Sequence, residues 1–337
     1  MNPVFTLIKP RLLSFRNAGR QEKRGLRLFL FFAIGLTFWV GIYAVSHRVL
    51  IYFQQVVDFG DILAYKLLSM VLLTFFSLLI FSSILTALSK LYLSKDLKLV
   101  HAMPVPCETI FFSRWIESTV DSSWTVIVYA IPVFIAYGNV YSAGMFFYTH
   151  IAVALLPLCV IASAVSAGLV LLAVHVLPAS RMRSIFVFLG LIVLVVLYMA
   201  FRLLRPERLV DPEPFASALL YLRNLSTPAS PLLPSTWAFD SLKAALSGDV
   251  RNALFHTALS WSGAGFSALA LFWGARALYF EGYSKAQSAQ IRLFKTTGKR
   301  PLGFLGFLPG PTRAFLIKET KTFWRDQTQW SQLFLIG

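Results

Sequence analysis

An all-α, polytopic membrane protein with six complete transmembrane helices and the start of a seventh is the fold this sequence predicts. Three observations carry the prediction. Hydrophobic residues make up 57% of the 337 positions and charged residues only 14%, against roughly 25% charged in an ordinary soluble domain. Mean hydropathy is +0.68. The apolar residues also fall in runs near the roughly 20 residues that a helix needs to cross a bilayer core. Only Cys107 and Cys159 are present, so there is no disulfide framework and no thiolate metal cluster.

The predicted spans are Leu28–Val45, Leu67–Leu88, about Thr119–Tyr137 with Pro132 inside it, about Ile151–Val176, Ser184–Phe201 and about Ala253–Tyr279. A seventh begins near Gln332, and the chain stops at Gly337. Five apolar residues cannot cross a membrane, so the expectation is a longer natural product or a truncated copy. The net charge of +16 is read as topology rather than as a nucleic-acid surface. The basic residues sit between apolar runs and do not interleave with aromatics as a base-stacking face requires. With the N-terminus in the cytoplasm, the segments 1–27, 89–118, 177–183 and 280–331 carry 22 Lys and Arg, and the segments 46–66, 138–150 and 202–252 carry 8. That bias follows the positive-inside rule.

This gives a cytoplasmic basic amphipathic segment at 1–27 and a six-span domain at 28–279. A cytoplasmic basic linker follows at 280–331, with the start of a further span at 332–337. The first span is read as retained, since no small-residue cleavage site follows it. Residues 4–16 and 313–326 are alike: Leu7-Ile8-Lys9 aligns with Leu316-Ile317-Lys318, and Arg16 with Arg325. The pair reads either as two ordinary basic juxtamembrane helices or as an internal repeat of the kind transporters carry.

The inner segment 89–118 reads SKLYLSKDLKLVHAMPVPCETIFFSRWIES. Ser94 is expected to cap a short helix running to about Ala102. Pro104 and Pro106 stop it, because each proline pushes its predecessor out of the α region. Pro106 suits the first position of the next helix, with Glu108 in its first turn. Two helices therefore meet at a Met-Pro-Val-Pro elbow, a knob for a partner or simply a loop between spans. Arg114, Glu117 and Asp121 then share one helix face. That face enters the membrane, so its carboxylates need a partner or water. Structural ion pairing and a role in coupling or proton movement both fit. In the outer segment 202–252, Ser235 is expected to cap a helix with Trp237, Leu242 and Leu246 near one face. The helix lies on the outer leaflet or packs over the spans.

Several chemistries lack their residues. There is no G-x-x-x-x-G-K-[ST] phosphate loop; the Gly298-Lys299 pair is followed by Arg300. There is no H-E-x-x-H and no G-x-S-x-G. His47, His101, His150, His175 and His256 have no ligand spacing and read as interfacial. Spans one, two, four and five hold no charge in their middle thirds, which disfavours an ion-coupled carrier. It also disfavours a membrane hydrolase, which needs an acid, base or metal at depth.

The stretch Leu93–Ser118, with S-K-D-L-K-L, M-P-V-P and F-F-S-R-W-I-E-S, resembles the permease subunits of type-2 ATP-binding-cassette exporters. P-L-L-P-S-T-W-A at 231–238 is similar to the outer segment of an exporter branch of that family. K-E-T-K-T-F-W-R-D at 318–326 is similar to the basic helix that opens its second bundle. The resemblance implies a coupling helix at about Ser94–Glu117 that docks on a P-loop ATPase subunit. Lys95, Asp96, Pro104, Pro106, Glu108, Arg114 and Glu117 are the candidate coupling residues. It further implies a multi-pass protein of the inner (plasma) membrane, associated with lipid and with a second permease copy, and no nucleic-acid partner. ATP would sit on the partner subunit, with no cofactor in this chain and no enzymatic activity of its own. Few charges and apolar walls suit a lipid-like, amphipathic or peptide-like substrate. The alternative is a non-transporting membrane scaffold or assembly factor of an envelope complex. A membrane enzyme would need Arg114, Glu117 and Asp121 to converge on a water-filled pocket.

Overall fold

The computed structural model describes residues 25–55, 60–94, 96–176 and 232–293, with scattered helical positions between 4 and 13, at 191 and 195, and between 315 and 319. Apart from those scattered positions, the fifth predicted span, the N-terminal segment, the linker beyond Leu293 and the repeat lie outside the described residues, as do all of 202–231 and the start of a seventh span. Among those described, every regular element is helical: α1 (Gly25–Gln54), α2 (Gly60–Leu88), α3 (Leu97–His101), α4 (Cys107–Val140), α5 (Met145–Val176), α6 (Pro234–Leu246) and α7 (Val250–Leu293). Three are long and apolar enough to cross a membrane: Phe32–Gln54 of α1, α2 continued to Leu93, and α5. α4 makes a fourth if its two parts count as one span. Six complete spans are thus not established. The predicted Ala253–Tyr279 span does lie inside one helix, α7. That helix is diluted by small and polar residues such as Ser260, Ser262, Gly263, Gly265 and Ser267, which lower its hydropathy while letting neighbours approach closely.

α5 is the hub, packed against α7, α2, α6 and α4, while α1 lies mainly on α4. The apolar interior divides in two. One cluster joins the start of α2, the end of α4, the start of α5 and α6 through residues such as Leu68, Phe134, Phe147 and Leu242. The other surrounds α3 and joins the end of α2, the start of α4, the end of α5 and α7 through Leu91, Phe111, Leu171 and Tyr279. α1 leaves Phe32, Ile34, Phe38 and Val45 more than half exposed, as lipid-facing side chains do.

α4 bends by 43° between Cys107–Trp124 and Val126–Val140. Pro132 follows within two turns. Proline has no N–H, so the carbonyl four residues back loses its intrahelical donor. That carbonyl is Val128 O, and the Trp39 indole N–H of α1 donates to it at 3.0 Å. A neighbouring helix re-satisfies the freed group, as backbone in a membrane requires. At the end of α4 the Gln54 amide likewise donates to Val140 O at 3.0 Å. α6 and α7 form a tight hairpin. Gly248 adopts φ +79°, a left-handed turn that suits glycine. Asp249 Oδ1 then accepts the Asn252 N–H at 3.2 Å, capping α7.

The start of α6 differs from expectation. Pro234 is its first residue, Leu233 is the cap, and Ser235 lies inside and buried. Proline at the first position explains the shift: its fixed φ suits the first turn and its missing N–H would have no partner there anyway, while the Leu233 carbonyl accepts the Thr236 N–H at 3.0 Å. α6 packs against α7, α5 and α2, and Trp237 lies against Gly263, where a Cβ would come within 2.6 Å of the indole.

Candidate functional site

The elbow begins where α2 loosens. Its last turns widen into a π-helix, Ser89–Leu93, and Ser94 turns to extended backbone at ψ 133°. A π segment inside an α-helix commonly marks a functional position. Ser94 does not cap α3. Its hydroxyl donates to Asp96 Oδ1, and Asp96 stands at the cap position without a side-chain cap bond. α3 spans only five residues because Pro104 and Pro106 follow. Pro106 is the cap of α4 rather than its first residue, so the helix starts one residue later than expected, and the Pro106 carbonyl accepts the Thr109 and Ile110 N–H groups at 3.0 and 3.2 Å. α3 buries Leu97 and Val100. It presents Leu99, 67% exposed, and Met103, 42% exposed, beside exposed Pro104 and Pro106. The result is a small knob with an apolar tip.

Arg114 braces this knob from below. Its guanidinium pairs with Asp96 Oδ2 across the turn and donates to Glu117 Oε2 at 3.0 Å along its own helix. The Glu117 side chain is 6% exposed, so an opposite charge is required there. Partial burial pushes the Asp96 carboxyl up, but the Ser94 hydroxyl and the Arg114 guanidinium outweigh it and hold the group below its ordinary range. Asp121 pairs with Lys90 of the π segment at 3.1 Å. The three residues predicted on one face therefore take part in three ion pairs: Arg114–Glu117 within α4, and Arg114–Asp96 and Asp121–Lys90, which tie α4 back to the preceding chain. Glu108 accepts from Arg276 Nε of α7 at 2.8 Å. Lys95 lies outside the described residues.

Below the ion pairs runs a seam of hydroxyls that the sequence reading did not single out. The Ser83 hydroxyl donates to Ser122 Oγ at 2.9 Å, and that of Ser118 to Thr86 Oγ1 at 3.1 Å. Thr119 and Ser163 join α4 to α5 at 2.6 Å, and the Ser166 hydroxyl donates to Ile80 O at 3.0 Å. Ser82, Ser83 and Thr86 in one span and Ser118, Thr119 and Ser122 in the next were the available signal, since small hydroxyl residues mark close helix contacts in membranes. A second polar cluster lies at the other end. His150 of α5, expected at an interface, is buried at 3% exposure. Its Nε2 lies 2.8 Å from Ser241 Oγ of α6 and 3.0 Å from Thr257 Oγ1 of α7, which are 2.7 Å apart. Thr257 donates to Ala253 O. Nε2–H to Ser241, Ser241 to Thr257 and Thr257 to the carbonyl is thus a chain in which each proton has one acceptor.

The described residues form a helical, membrane-type bundle with a braced elbow between two of its helices. The family model described as "Putative ATP-binding cassette" matches residues 20–337, and the chain belongs to that family. No curated protein and no solved structure matches it. Membership places the chain among proteins whose work is tied to ATP and which assemble with further subunits. It also corrects the expectation that the chain is no enzyme: the family is described as an ATP-binding cassette, a class that hydrolyses ATP. Absence of one glycine-rich consensus excludes that particular phosphate cradle, not a part in ATP hydrolysis.

Proposed function

We propose that this chain forms the membrane-spanning permease of an ATP-binding-cassette exporter, with the elbow as its coupling element. The observation that carries this reading is the elbow's build: an apolar tip of Leu99 and Met103 just ahead of Pro104 and Pro106, braced by Arg114 against Asp96 and Glu117. Exposed apolar groups on a rigid turn suit insertion into a cleft of a partner. The partner is a P-loop ATPase subunit, and its cycle would push the elbow against the ends of α2 and α4. Asp96, Pro104, Pro106, Glu108, Arg114 and Glu117, with Lys95, hold or present that element. In this reading six spans cross the inner membrane with the N-terminus in the cytoplasm, a second permease copy completes the pathway, and an amphipathic or lipid-like molecule moves along the apolar walls.

The test is co-purification of the full chain from its host membranes with its ATPase, compared with a Leu99→Asp, Met103→Asp variant. A charged tip cannot enter an apolar cleft. The reading expects an ATPase with the parental chain and its loss with the variant. An ATPase retained by the variant, or none with the parental chain, would leave a scaffold in place of a permease.

A further inference from the structure

Around Tyr279 and Tyr283, α7 meets the elbow through aromatic rings as well as aliphatic packing. His101, the final residue of α3, stacks on Tyr283 with ring centroids 3.9 Å apart and planes 4° apart. Its Nδ1 lies 2.9 Å from Leu97 O; a carbonyl only accepts, so Nδ1 carries the proton and the ring is fixed in orientation. One turn back, Tyr279 sits edge-on to Phe111 of α4 at 5.1 Å and 5.7 Å from the Tyr92 ring of the π segment. Its hydroxyl donates to Leu91 O at 3.3 Å, a carbonyl of that same π segment. Gly282 lets the Tyr92 hydroxyl come close: a Cβ there would meet it at 3.2 Å. Aromatic pairs favour particular stacked or edge-to-face arrangements, so they carry an orientational preference beyond the area they bury.

We propose that His101, Tyr279 and Tyr283 are positioning residues that form a strut through which movement of the elbow is carried into α7. The proposal rests on the coupling reading above and goes beyond it by naming the element that moves. Three segments meet at the strut: the π segment through Leu91 and Tyr92, α3 through His101, and the start of α4 through Phe111. Arg276, paired with Glu108 at 2.8 Å, adds a fourth tie one turn away. An elbow held this way cannot tilt without turning α7. α7 in turn runs the length of α5 and carries α6 at its far end, so a push at the elbow reaches the hairpin at Gly248.

The experiment measures the distance between spin labels at Met103→Cys on the elbow and Trp261→Cys on α7. It uses the full chain with Cys107→Ser and Cys159→Ala. A single narrow distance is expected for this parent. His101→Ala and Tyr283→Ala should each at least double its width, and His101→Phe, which keeps a flat ring, should restore it. If Tyr283→Ala does not fold, Tyr279→Phe, which removes only the hydroxyl on Leu91 O, carries the same test with a smaller broadening. Unchanged widths in His101→Ala and Tyr279→Phe overturn the strut whatever the partner is. Absence of an ATPase from the parental chain overturns the coupling reading and leaves the distances to decide the strut alone.

Discussion

At the elbow end, ion pairs as well as aromatic rings join the π segment, α3, α4 and α7, whereas at the opposite end helices meet through apolar and aromatic side chains such as Tyr65 with Tyr141 and Phe75 with Phe134, a hydroxyl–imidazole cluster and backbone caps. The elbow joins are directional and carry charge; Arg114 alone spans a turn and a helix. The joins of the far end fill space and satisfy single groups, as Trp39 does for Val128 O. Such a difference separates a part built to keep its shape under load from a part built to pack in lipid. The hydroxyl seam between α2, α4 and α5 lies between them. Short side chains there can exchange hydrogen-bond partners with little rotamer loss.

The comparison breaks most readily at Arg114. Arg114→Ala leaves Glu117 buried without its guanidinium and frees Asp96, so a loss of about 3 kcal/mol is expected. Thermal melting in detergent, with Arg114→Lys as the partial replacement, checks it. Equal melting of parent and alanine variant would mean that the elbow needs no brace. A smaller effect is expected at the far end. Ser241→Ala removes the link between His150 and Thr257 that belongs to α6, at about 1 kcal/mol. It should loosen the α6–α7 hairpin and leave the elbow alone, which hydrogen exchange resolves segment by segment. Exchange that rises at the elbow instead would contradict the division into two ends.

The smallest effect concerns acid. The Asp96 carboxyl is held below its ordinary value of 3.8. A depressed carboxylate contributes stability that is present above that ordinary value and is lost as pH falls through the lower, folded one. Elbow order should therefore be flat from neutral pH down to about pH 4 and decline below it. Asp96→Asn should remove that decline. A change already between pH 7 and 5 would point to a different group.

Much of this was legible in the sequence, and the parts that were not share a cause. Proline spacing located the elbow, because Pro104 and Pro106 act through the backbone alone. Apolar runs located α1, α2, α4 and α5, though the helices extend past them where polar residues continue the same backbone. Partners distant in sequence could not be read. The spacing of Arg114 and Glu117 was local and visible, but Lys90 with Asp121, Arg276 with Glu108 and Tyr279 with Leu91 depend on how helices pack. The run Ala253–Tyr279 located α7 as well, although its serines and glycines lower the hydropathy of that helix. The missing phosphate loop misled by being read too broadly, as the family match corrected.

The most direct test of the central claim is ATP hydrolysis by the complex purified with the full chain from its own membranes and reconstituted in lipid. Hydrolysis should be measurable with the parental chain and should fall at least tenfold with Leu99→Asp, Met103→Asp, the membrane fold being unchanged by circular dichroism. Hydrolysis unaffected by a charged elbow, or none with the parental chain, would contradict the assignment of the elbow as the coupling element.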